Sequence, residues 1–212
     1  MNFIIGAGGV ASEVLWMLSR NGREGEAVLV VKSEEDIPVF QSKGFPVISE
    51  LSMIRRLKIT PGNVYVAIGL PVVRRRIHES MHGLQCNFPS LIDVAARFDT
   101  REGKVSIGNG TIIYPTVSMT TEISVGDFVQ INPNSCIGHN SSIGDYTTIC
   151  PGAIISGYTK IGRECFIGAG AIVKESLCIA DGITIGAGAV VLNDLSEPGI
   201  YIGTPAKRME HR

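Results

Sequence analysis

Apolar residues follow two different rules along this 212-residue chain, and the change falls near residue 100. From Ile107 onward every sixth residue is aliphatic or Met: Ile107, Ile113, Met119, Val125, Ile131 and so on through Val191, fifteen consecutive positions without a break. Even in a chain rich in Ile, Leu, Val and Met, chance yields such a run with a probability on the order of 10⁻⁸. Four positions after each aliphatic the residue is usually small, as at Thr111, Ser135, Ser141, Thr147, Ala153 and Ala171, and Gly often follows the aliphatic directly. A period of six is neither helical nor a simple strand alternation. It predicts a β-solenoid of short strands and tight turns, with one aliphatic per strand pointing inward, small residues at the corners and glycine supplying backbone freedom there. The 14 hexads from Ile107 to Val190 then form one prism, in which each coil buries its face against the next and no repeat is stable alone. An ordinary β-sandwich fits poorly, because its turn signals recur at irregular intervals of about 8–12 residues.

Residues 1–92 alternate between periods instead. Phe3-Ile4-Ile5 predicts a short strand that ends in Gly6-Ala7-Gly8-Gly9, and Ala11–Arg20 then carries helical spacing through Val14, Leu15 and Leu18. Ala27–Val31 predicts a second strand, Leu51–Leu57 a helix, Val64–Ile68 a third strand, and Val72–Met81 a helix, with one more strand expected within Phe88–Ile92. The alternation implies a small parallel sheet with flanking helices, and ligands at the carboxyl ends of its strands. Residues 93–104 are a polar connection to the solenoid, which occupies 105–212.

Charge narrows the function classes. The net charge is −1, and the longest basic run is Arg74-Arg75-Arg76, so nucleic acid is not an expected partner. That run is expected to face solvent or a phosphate. Met1 leads straight into Phe3-Ile4-Ile5-Gly6 without a basic segment and long apolar stretch, and no run reaches membrane-spanning length, so a cytoplasmic location without membrane contact is expected. The five cysteines are far apart and form no C-x-x-C pair, which reads as small buried hydrophobes and no metal site.

The hexad array and the ending Gly203-Thr204-Pro205-Ala206-Lys207 resemble the left-handed parallel β-helix of hexapeptide-repeat acyltransferases. Within these, nearly the whole chain resembles the sialic acid O-acetyltransferase and bacterial amino-sugar N-acetyltransferase (NeuD/PglD-like) family. The resemblance rests on Gly6-Ala7-Gly8-Gly9, Ala67-Ile68-Gly69, Phe88-Pro89-Ser90-Leu91-Ile92, Ile137-Gly138-His139, Ile143-Gly144-Asp145-Tyr146, Pro151-Gly152 and the terminus. It implies a Rossmann-like domain joined to a left-handed β-helix with three hexads per coil, assembled as a homotrimer with active sites between subunits. The activity it implies is N-acetylation of a nucleotide-linked amino sugar from acetyl-CoA, for surface glycan or polysaccharide synthesis. O-acetylation of a sialic-acid-type sugar is the alternative, and a non-catalytic sugar-binding module is a more distant one.

Acetyl transfer needs a base for the attacking amine or hydroxyl and a donor for the thioester oxygen. His78 and His82 lie on or beside a predicted surface helix and His211 in the terminus, whereas His139 sits at a predicted turn where the family places its base. Relatives often carry an acidic residue next. Here it is Asn140, which can orient an imidazole but cannot stabilise the imidazolium as a carboxylate does. The resemblance further places Gly157 as the backbone oxyanion donor, and Thr148, Gly157, Ala169, Ala187 and Lys207 around acetyl-CoA. It places Gly8, Gly9, Val10 and Lys32 around the acceptor. Gly6-Ala7-Gly8-Gly9-Val10-Ala11 also fits a dinucleotide loop, but the second strand ends in Val31-Lys32 rather than in the acid that grips a ribose, and about 90 residues are too few for a full dinucleotide fold. Val10 stands where the family frequently has His, which leaves the acceptor less defined than the reaction.

Overall fold

The computed structural model describes residues 1–23, 27–41, 44 and 46–209. Its first part is a five-stranded sheet built from β1 (Asn2–Ile5), β2 (Ala27–Val31), β3 (Val47–Ser49), β4 (Gly62–Val66) and β5 (Cys86–Asn87), in the order β3-β2-β1-β4-β5 and parallel throughout. Helices α1 (Gly9–Arg20), α2 (Ile37–Gln41), α3 (Glu50–Leu57) and α4 (Pro71–Ser80) connect the strands. The apolar positions that predicted α1 are those it buries, Val14 and Leu18 among them. Ser49 caps α3 by accepting the N–H of Ser52, and Pro71 opens α4 where a missing N–H costs nothing.

Two expectations are corrected in this region. The third central strand starts two residues earlier than Val64 and ends at Val66. Within 88–92, Leu91–Ile92 does not extend the first sheet but pairs with Ile112–Ile113, as the first rung of the solenoid. The short edge strand β3 has no counterpart in the sequence reading.

The second part is a left-handed parallel β-helix. Gln130 pairs with Ile112 below and Thr148 above, and the same offset of 18 residues holds on the other two faces, so three hexads make one coil. Every aliphatic of the sixfold series ends a strand, and all but the half-buried Ile107 at the open end are buried. Each buried Ile contributes about 1.5–3 kcal/mol of hydrophobic stabilisation, which the ladder repeats at every rung.

The turns work differently from the expectation. One residue per hexad, three places after the aliphatic, has left-handed backbone from Gly110 to Gly188, and nine of these are not glycine, including Phe128 (φ 54°), Asn140 (φ 58°) and Tyr146 (φ 59°). The glycines directly after the aliphatics serve another purpose. A Cβ on Gly138 would stand 2.5 Å from the backbone nitrogen of Gly157, and one on Gly144 2.5 Å from the Gly162 carbonyl carbon. They admit close approach of the next coil.

The two parts are joined by a continuous apolar core and by a polar seam along α4. Here the basic run departs from expectation. Arg74 is 0 % exposed, because α4 lies on a corner of the β-helix and its guanidinium is enclosed by backbone carbonyls. Arg75 pairs with Glu79 and with Glu164 of the β-helix, and Arg76 alone of the three is exposed.

Candidate active site

His139 follows Gly138 at the exposed corner after the strand Cys136–Ile137. Its Nδ1 lies 3.0 Å from Oδ1 of Asn140. An amide oxygen only accepts, so this contact places the proton on Nδ1 and leaves the Nε2 lone pair free. Asn140 suits the position, since Asn adopts left-handed backbone more readily than most residues. The ring is held further by Tyr158, which meets it edge-on at 5.0 Å and 90° between planes, and whose N–H binds the His139 carbonyl at 2.8 Å. Tyr158 is a site neighbour that the sequence did not single out.

Gly157 lies one coil above His139 on the same edge. A Cβ there would be 3.0 Å from both Cε1 and Nε2 of the imidazole, so glycine keeps this space open beside the base. Its N–H donates to no group among the described residues. A vacant amide next to a free imidazole nitrogen can bind an oxygen that gains negative charge while the imidazole takes a proton.

A second edge of the prism carries a related pattern. Pro115, Pro133 and Pro151 stack there in the lower coils and offer no N–H. In the two coils above, the same corner position is Ala169 and Ala187, both exposed, and both with N–H groups that no atom of the described residues accepts. The third edge shows how the chain satisfies such amides where they are not needed: Asp127, Asp145 and Asp181 side chains cap the N–H groups of Asn109, Asp127 and Arg163 at 2.7–2.9 Å. Ala169 and Ala187 therefore lie on a different edge from His139 and Gly157, and one chain does not bring the two pairs together. Lys207 is exposed on a short terminal strand that pairs antiparallel with Ile200–Ile202.

Thr148, expected near acetyl-CoA, is only 2 % exposed and faces the α/β domain. Its hydroxyl donates to the Gly69 carbonyl at 2.7 Å and accepts from Arg74 at 2.9 Å, so both of its bonding modes are spent inside the seam. His78 is half-buried, stacked on Phe128 at 4.1 Å with Nδ1 2.8 Å from the Tyr146 hydroxyl, and burial, followed by the nearby His82, holds its pKa below the usual imidazole value. His82 is exposed, and His211 lies outside the described residues.

At the carboxyl ends of β1, β2 and β4 lies a cavity of about 680 Å³ lined by Gly6, Ala7, Gly8, Lys32 and Ile68, with Asp36, Phe40 and Glu50 opposite. Gly6 is required there, because its φ is +126° and a Cβ would come within 2.8 Å of the Ala67 carbonyl oxygen. Gly9 begins α1, whose capping residue Gly8 offers no side chain, so the first-turn N–H groups have no side-chain cap. Val10 packs against the core from the first turn of α1. Asp36 and Glu50 were missed by the sequence reading because they reach the cavity from separate connections after β2 and β3.

Residues 3–81 match the PglD N-terminal domain family, and residues 122–157 match the bacterial transferase hexapeptide family. No curated protein sequence matches the chain. Among solved structures, the acetyltransferase domain of PglB from Neisseria gonorrhoeae FA1090 in complex with acetyl coenzyme A is 29 % identical, with 98 % of each chain covered and a TM-score of 0.86. WeeI from Acinetobacter baumannii AYE is 26 % identical, with 99 % of each chain covered and a TM-score of 0.85. A mutant perosamine N-acetyltransferase from Caulobacter crescentus, in complex with CoA and GDP-perosamine, shares the fold at 24 % identity, a TM-score of 0.86 and coverage of 99 % and 97 %.

Proposed function

Because the chain belongs to the NeuD/PglD-like family of hexapeptide-repeat sugar acetyltransferases, we propose that it transfers acetyl from acetyl-CoA to the amine of a nucleotide-linked amino sugar, with His139 as base. The observation that carries this reading is the pairing of a free imidazole nitrogen with the vacant Gly157 amide across one rung. His139 Nε2 takes the proton as the acceptor nitrogen bonds to the acetyl carbon. The Gly157 N–H stabilises the oxygen that becomes negative, and as this intermediate collapses the carbon–sulfur bond breaks, the imidazolium returns its proton to the sulfur, and CoA leaves as the thiol. Ala169, Ala187 and Lys207 hold the CoA arm, while Gly8, Gly9 and Lys32 present the acceptor from the α/β cavity.

The test is incubation with acetyl-CoA and a panel of free amino sugars, nucleotide-linked amino sugars and sialic acids, with thiol release as readout. Release that is much faster with a nucleotide-linked amine than with the slowly turned-over free amino sugar supports the reading; release only with sialic acids moves it to O-acetylation, and none at all removes it.

The separation of His139 from Ala169 and Ala187 on different edges supports a homotrimer in which neighbouring subunits share each site. Sedimentation is expected to report three chains per particle. A stable, active monomer would overturn the shared site.

Asn140 gives a pH prediction. In Asn140→Asp the left-handed turn is kept, since Asp tolerates it nearly as well, and the added carboxylate favours the imidazolium. The acid limb of the kcat/KM profile on one amine substrate is then expected to move to higher pH. An unmoved limb would show that this side chain does not act on His139.

A further inference from the structure

We propose that Arg74 is a positioning residue that locks the α/β domain onto the β-helix in one orientation, and thereby sets where the bound acceptor stands relative to the site. The inference rests on the acceptor cavity assigned above. Arg74 is 0 % exposed, yet among the described residues its hydrogen-bond partners are carbonyls and a hydroxyl, and none is a carboxylate. Nη1 donates to the Ile68 carbonyl at 2.6 Å and the Gly69 carbonyl at 3.2 Å, just beyond β4. Nε donates to Phe128 at 2.7 Å, and Nη2 to Tyr146 at 2.5 Å, Thr147 at 3.3 Å and the Thr148 hydroxyl at 2.9 Å, all in the β-helix.

The planar fork of a guanidinium fixes angles as well as distances, and here its nitrogens grip both domains at once. What it grips on the α/β side matters most. Ile68 lines the acceptor cavity, and the Gly69 carbonyl is clamped a second time by the Thr148 hydroxyl. A carboxylate partner would have been a stronger ion pair but would have tied Arg74 to one point. A ring of carbonyls from Ile68 to Thr147 ties it to two domains. Burial lowers the pKa of the group to about 9, so it still carries its charge and all its donors at neutral pH.

The neighbouring contacts extend the same seam. Gln130 donates to the Val66 carbonyl at 3.3 Å, and Arg75 meets Glu164 at 2.8 Å. Neither replaces the fork, because each joins a single pair of atoms.

The test uses Arg74→Met, which keeps the apolar stem, and Arg74→Lys, which keeps a charge without the fork. Trp16 on α1 is the only tryptophan and Cys178 on the β-helix is the exposed cysteine, so energy transfer from Trp16 to a dye on Cys178 reads the inter-domain distance directly. Both variants are expected to broaden that distance distribution. For a nucleotide-linked amino sugar, kcat/KM should fall about a hundredfold, the cost typical of a misplacement near 1 Å, while the KM for acetyl-CoA and turnover of a free amino sugar stay within about twofold. Thr148→Val, which removes one clamp and keeps the cation, supplies the same test with a smaller loss where Arg74→Met does not fold. An unchanged distance distribution, or equal losses on free and nucleotide-linked sugars, would overturn the proposal. If the unaltered enzyme acetylates no nucleotide-linked sugar, the acceptor reading falls by itself, and the distance distribution alone decides the role of Arg74.

Discussion

Replacing His139 with Ala is expected to lower kcat at least about a hundredfold and to leave the Kd for acetyl-CoA nearly unchanged. The imidazole is exposed at a corner and contributes nothing to the buried ladder, so the fold should not respond. Its partners agree with that separation. Asn140 and Tyr158 hold the ring from the side, and the backbone of His139 stays bonded to Tyr158 whatever the side chain is. The loss should be confined to the step in which the acceptor surrenders its proton. Stopped-flow turnover at saturating substrates, with calorimetric titration of acetyl-CoA, separates the two quantities. Turnover within a few-fold of the unaltered enzyme would remove His139 from the mechanism.

The second large effect is expected from the vacant amides on the neighbouring edge. Proline already occupies this corner position at Pro115, Pro133 and Pro151, so Ala169→Pro and Ala187→Pro should be accepted by the fold while each removes one N–H. One lost hydrogen bond of about 1 kcal/mol raises the KM for acetyl-CoA several-fold, and the double variant should reach roughly thirtyfold with kcat little changed. A matched control is Ala189→Gly, which lies on the same turn but alters no donor. Equal KM values for the proline variants and the unaltered enzyme would show that these amides do not face the CoA arm. A loss of thermal stability in the proline variants would be a different finding, and circular dichroism distinguishes it.

Much of this was written in the local pattern. The sixfold series specified strands, turns and inward residues, because each hexad repeats one local instruction and the instruction is hydrophobic, while three hexads to a coil followed from the family resemblance. The position of His139 was legible for the same reason: the corner is fixed once the strand is. What local pattern does not carry is which surface another element will cover. Arg74 sits in a basic run that looks solvated, and only the packing of α4 on Phe128 and Tyr146 encloses it. Thr148 looks like any small outward residue of a hexad, yet the α/β domain covers that face. Leu91–Ile92 reads as a strand in either domain, and its pairing with Ile112–Ile113 is decided by what lies beside it. The glycines that often follow the aliphatic suggest backbone freedom at the corners, whereas their missing Cβ is needed for contact between coils, a distinction visible only between residues 19 apart such as Gly138 and Gly157.

The 18-residue coil has a consequence for how the chain can change length. A single inserted or deleted residue inside a coil turns every later side chain away from its place, so tolerated changes are loops bulging from corners or whole coils. Adding one whole coil lifts everything above it by one inter-strand step, about 4.8 Å. The spacing along the axis between His139 and the amides of Ala169 and Ala187 is therefore counted rather than packed. It can vary only in discrete jumps, and a ligand of fixed length that spans it would fit one count of coils and miss the next.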